Sequence, residues 1–88
     1  MEMNDYEEIE KKVLSILKRD KPTHMWEILK TTHKDKISER QTRNAMKFLV
    51  SKKYIMNERE NRRFYRLTTE GKDYSDGMKN DADRNINQ

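Results

Sequence analysis

Ser38-Glu39-Arg40-Gln41-Thr42-Arg43-Asn44-Ala45-Met46-Lys47-Phe48-Leu49-Val50-Ser51-Lys52-Lys53 is the stretch that decides how this chain is read. At about 100° per residue, Thr42, Ala45, Met46 and Leu49 fall on one side of a helix, and Arg40, Arg43, Asn44, Lys47 and Ser51 on the other. The first face suits a protein core. The second offers two guanidiniums, an amide and an ammonium in a row, which suit a base-pair edge or a phosphate. Ser38 and Gln41 match a capping box, in which each side chain satisfies the other's free backbone N–H. Ile37 before the cap is an apolar anchor, and the spacing predicts a helix over 38–53.

Outward from this helix the charge pattern is uneven. Residues 34–66 hold eleven Lys/Arg and four Asp/Glu, a net +7, between an N-terminal third of net −1 and a C-terminal third of net −2. A basic centre between acidic flanks is an electrostatic footprint for a polyanion. The chain has 88 residues, 32% of them hydrophobic and 41% charged, so it holds one small core at most. Dimerisation is one remedy for so small a core. There is no cysteine, which excludes disulfides and thiolate metal sites. No apolar run suits a membrane span or a signal peptide, and a cytoplasmic protein is expected.

Before the helix, Tyr6, Ile9, Val13, Ile16 and Leu17 recur at helical spacing, predicting a first helix from Asp5 to Arg19. Asp20-Lys21-Pro22 breaks it. A second helix is predicted over 24–32, with Thr23 as N-cap, Met25, Ile28 and Leu29 inward and Trp26 on the flank. After the helix, Tyr54-Ile55-Met56-Asn57-Glu58 and Phe64-Tyr65-Arg66-Leu67 read as strands of a hairpin around the polar turn 59–63. A short last helix is expected over 69–74. The domain then ends at 75, and 76–88 reads as a polar, disordered tail.

This order gives an α+β domain, mostly helical, with three helices around one core and a terminal two-stranded hairpin. In Leu49-Val50-Ser51-Lys52-Lys53-Tyr54-Ile55 and Tyr65-Arg66-Leu67-Thr68-Thr69-Glu70-Gly71, and in the helix itself, the chain resembles the winged helix-turn-helix DNA-binding domain of small bacterial and archaeal transcriptional regulators. The resemblance covers residues 5–74. It departs from the family at Lys53, where a glycine is usual after the recognition helix.

The resemblance implies that helix 38–53 lies in the major groove and that the hairpin follows the backbone or a minor groove. Arginine pairs bidentately with guanine and asparagine with adenine, so Arg40, Arg43, Asn44 and Lys47 form the expected reading set. Arg59, Arg62 and Arg63 are expected on phosphates or in a minor groove. Lys34, Lys36, Ser38 and Lys52 are further phosphate candidates. Double-stranded DNA is the expected partner of a homodimer joined through Tyr6 and Tyr74, nucleoid-associated when bound. No cofactor, metal or small-molecule substrate is expected.

Other readings are bland or weaker. Tyr54, Phe64 and Tyr65 beside a small core serve packing rather than base stacking. His24 and His33 are nine residues apart without a third ligand, a poor metal pair. No nucleophile triad, phosphate loop or carboxylate pair points to an enzyme. Asn44-x-x-x-Phe48 is similar to a pair in winged-helix domains that bind left-handed nucleic acid, but the Pro-Trp wing element of those domains is missing. A winged-helix protein-interaction module and an architectural or partition-type DNA binder are the alternatives.

Overall fold

The computed structural model describes residues 6–18 and 20–86, with side chains for 7–18 and 20–77. It is an α+β fold in the order α1 (Tyr6–Ile16), β1 (Thr23–His24), α2 (Met25–Lys34), α3 (Glu39–Ser51), β2 (Ile55–Asn57), β3 (Phe64–Leu67) and α4 (Thr69–Ile86). The core takes Ile9, Val13, Leu14 and Leu17 from the α1 region, Ile28 from α2, Ile37 from the α2–α3 link, Ala45, Met46 and Leu49 from α3, and Ile55 from β2. Between α2 and α3 it also holds two fully buried threonines. The Thr42 hydroxyl donates to Thr32 Oγ1 at 2.8 Å, with the Ser38 carbonyl also in reach at 3.0 Å, and Thr32 donates back to the Leu29 carbonyl at 3.2 Å. Buried hydroxyls satisfied in this way fix the two helices without an unpaired polar group.

Where the elements differ from the sequence expectation, contacts distant in the chain account for the end of α1 and for β1, and bonds between near neighbours for the cap of α2 and the extent of α4. α1 ends at Ile16 rather than running to residue 19, because the Lys18 carbonyl accepts from the Leu67 N–H at 3.2 Å. Thr23 is no N-cap. It pairs with Tyr65 in β1, an unexpected third strand that gives an antiparallel sheet of order β1-β3-β2. His24 caps α2 instead, its Nδ1 accepting from the Trp26 N–H at 3.0 Å. The strand predicted over 54–58 is shorter, while β3 has its predicted bounds. The segment expected as a disordered tail from residue 76 continues α4 to Ile86. A helix once nucleated adds one hydrogen bond per residue fixed, and the Lys72–Asp76 pair at 3.1 Å spans one turn across the expected boundary.

Both helix ends that frame α3 use lysine where glycine is usual. Lys53 has φ 64°, its N–H donates to the Val50 carbonyl at 2.9 Å, and the Tyr54 N–H donates to Leu49 at 2.9 Å. This is the Schellman pattern, with the left-handed residue just past the helix. Lys36, also at φ 64°, ends α2 in the same way through His33 and Thr32. α3 therefore stops at Ser51, short of the predicted end at residue 53, and stores backbone strain at Lys53.

The end of α3 is clasped by the start of α4. The Thr68 hydroxyl accepts from the Gly71 N–H at 2.9 Å and has the Lys53 and Tyr54 carbonyls in reach at 2.6 and 2.9 Å. The Thr68 N–H donates to the Tyr54 carbonyl at 3.0 Å. A Cβ on Gly71 would stand 1.8 Å from that carbonyl oxygen. Tyr74, one turn further, stacks on Tyr54 with centroids 4.2 Å apart and donates to Glu10 Oε1 of α1 at 3.1 Å.

Three consequences are measurable by thermal and pH-dependent unfolding. Gly71→Ala should cost about 3 kcal/mol and lower Tm by roughly 10 °C or more, since the obstacle is backbone. Lys53→Gly should instead stabilise by about 0.5–1 kcal/mol, relieving the left-handed strain. The Tyr74 phenol is pushed from its ordinary 10.0 up to about 12, chiefly by burial and then by its bond to Glu10. In the unfolded chain it ionises at its ordinary value, so this contribution to stability is complete below that pH and is lost as pH rises through the folded value. Tyr74→Phe should remove that part of the alkaline slope, and a Tyr74 phenol titrating near its ordinary value would contradict it.

Candidate nucleic-acid interface

α3 presents its predicted faces. Thr42, Ala45, Met46 and Leu49 are buried, while Arg40, Arg43, Asn44, Lys47 and Ser51 are exposed. The capping box is present in both directions, Gln41 N–H to Ser38 Oγ at 3.1 Å and Ser38 N–H to Gln41 Oε1 at 3.0 Å. Ser38, a phosphate candidate from sequence, is thus committed as a cap.

The hairpin loop is ordered without glycine. Asn57 Nδ2 donates to the Arg62 carbonyl at 2.7 Å, and Asn61 Oδ1 accepts from the Arg63 N–H at 3.1 Å. This Asx turn does locally what glycine does elsewhere. It leaves Arg59, Arg62 and Arg63 exposed. The Met25 N–H donates to the Arg63 carbonyl at 2.8 Å, tying the loop to the start of α2.

The result is a trough between α3, the hairpin and the first turn of α2. Two open concavities, of about 460 and 370 Å³, share Met25, Arg43 and Tyr65. Arg62 and Arg63 line the first and Lys47 the second. Four of the expected contact residues, from two separate elements, therefore meet on one surface. The others line neither of these two concavities. Arg59 lines an adjoining hollow that shares Arg62 with the first concavity and Val50 and Asn57 with the second. Arg40 and Asn44 lie exposed on α3. Lys52 sits over the Phe48 ring at 5.8 Å, Lys34 lines a groove along α2, and Lys36 occupies the left-handed end of that helix. Tyr74 is engaged inside the chain rather than at an outer surface, and the Tyr6 side chain lies outside the described ones.

Two residues were given no part in the site by the sequence reading. Glu39 Oε2 pairs with Arg43 Nε at 2.7 Å, one turn along α3, and lines the trough. Exposed pairs of this spacing contribute about 0.3–0.5 kcal/mol, so the guanidinium is released at small cost. Trp26 is 71% exposed and also lines the trough. The signal was legible: position 26 lies roughly 200° around the helix from Ile28, opposite the buried side.

Among the described residues no cluster of three His, Cys, Asp or Glu is placed to hold a metal ion, and no helix is long and apolar enough to cross a membrane. Comparison of the chain with protein-family models, curated proteins and solved structures gives no match. The functional reading therefore rests on the trough.

Proposed function

We propose that this chain is a sequence-specific double-stranded DNA-binding protein, a transcriptional regulator of winged helix-turn-helix type. The single observation that carries this reading is the joining of Arg43 and Lys47 with Arg62 and Arg63 along one trough. The order of elements supports it: two helices joined by a tight link at 35–38, then a hairpin beside the second of them.

In this reading α3 enters the major groove. Arg40, Arg43 and Asn44 face base edges, where each bidentate pair discriminates by about 1–3 kcal/mol. Lys47 and the loop arginines hold phosphates on either side, which sets register without reading sequence. Glu39 holds Arg43 Nε at 2.7 Å in the free protein and gives it up to a base edge at small cost. Two copies, meeting through the outer faces of α1 and α4, would address half-sites about 34 Å apart.

Gel shift of mixed-sequence duplex at low salt tests the class, and absence of retardation at micromolar protein would sink it. If Lys47, Arg59, Arg62, Arg63 and two of Lys34, Lys36 and Lys52 take phosphates, log K should fall against log[salt] with a slope of about −5. Arg43→Ala should cost about 1–3 kcal/mol on the preferred sequence and flatten the preference. An equal loss on every sequence would make Arg43 a phosphate contact. Site selection from a random duplex pool reports the operator and, through a palindrome, the dimer.

A further inference from the structure

Trp26 is the largest exposed apolar side chain among the described residues, at 71%, against 37% for Val50 and 41% for Met56. The other aromatic rings with described side chains are used for packing. Phe48, Tyr54, Tyr65 and Tyr74 pack against the core, and Phe64 forms a T-shaped pair with His24, ring centroids 4.9 Å apart. The Trp26 indole belongs neither to the core nor to the residues packed on it, and the cap bond to His24 uses its backbone N–H. Its ring therefore does little for the fold. It stands between two hollows: the trough, with Arg43, Arg62 and Arg63, and a groove of about 610 Å³ along α2, with Leu29, Lys30 and Lys34.

We infer that Trp26 is a contact to duplex DNA, its indole packing on a backbone deoxyribose at the edge of the groove that α3 enters. This rests on the DNA-binding reading and adds to it an apolar anchor. A strand of nucleic acid alternates phosphates with apolar sugar faces. The surface alternates in the same sense, with guanidiniums on one side of the ring and the Lys30 and Lys34 ammoniums on the other. Five cations against the carboxylates of Glu27 and Glu39 favour a polyanion over an apolar protein segment as the occupant. A ring wedged on sugar adds affinity equally for all sequences and releases no counterion, unlike the arginines beside it.

The chain contains one tryptophan, so its emission reports this position alone. The full chain is titrated with a duplex of mixed sequence, and gel shift and emission are followed in parallel for the native protein, Trp26→Ala, Trp26→Phe and Arg62→Ala. Circular dichroism and Tm check that each variant is folded. The emission should change and saturate at the same duplex concentration as the shift. Trp26→Ala should weaken binding about tenfold on every sequence, with the salt slope unchanged. Trp26→Phe should retain most of the affinity, and Arg62→Ala should reduce the slope by about 1.

A shift without any change in emission, or full affinity in Trp26→Ala, would overturn this inference and leave the DNA-binding reading intact. A stronger emission change with single strand than with duplex would overturn it in favour of base stacking. Emission that varies with protein concentration in the absence of DNA would overturn it in favour of a second copy covering the ring. No shift at all would overturn both readings together.

Discussion

The Tyr54 carbonyl is where this small structure is held together. It accepts the Thr68 N–H, lies within reach of the Thr68 hydroxyl, and is approached so closely by the Gly71 backbone that no Cβ fits there. Three elements meet at that one peptide: the end of α3, the start of β2 and the cap of α4. The segment Leu67-Thr68-Thr69-Glu70-Gly71 thus has a physical reading. Threonine supplies both a cap and a clasp, and glycine supplies room for close backbone approach.

From that junction the placement of the basic surface follows. α3 is pinned at its C-terminal end by the left-handed Lys53 and the Thr68 clasp, at its N-terminal end by the capping box, and along its length by the Thr32–Thr42 hydroxyl pair. With both ends and one face held, the outward face has little freedom to rotate. The hairpin is held at its far end by β1 and by the Met25–Arg63 bond, so the loop arginines stay beside α3. A scaffold with few apolar residues thereby presents side chains from separate elements in one trough, using hydrogen bonds where a larger domain would use core volume.

α4 ties the opposite side. Tyr74 stacks on Tyr54 and reaches Glu10 of α1, so the first and last helices close over the same junction that positions α3. This engages one of the two tyrosines expected at a dimer surface. It also gives the otherwise polar α4 an anchored first turn from which to extend.

Much was legible in the chain itself, wherever the determining contacts are local. The phase of α3, its capping box, the bounds of β3 and the exposure of Arg40, Arg43, Asn44, Lys47, Arg59, Arg62 and Arg63 depend on spacing within a few residues, and each agrees with its reading. Tertiary structure alone decided β1 and the shortened α1, whereas the His24 cap, the extent of α4 and the left-handed turn at Lys53 rest on bonds between near neighbours whose residue types do not announce them. Tertiary structure also decided which cations meet: Arg43 and Lys47 with Arg62 and Arg63 along the trough, and Arg59 in the hollow that adjoins it at Arg62. One physical reason covers what tertiary structure decided. Helical periodicity and capping are written in neighbours three or four positions apart, whereas a strand pairing, a backbone approach or a shared trough depends on where distant segments are brought by the one core they both cover.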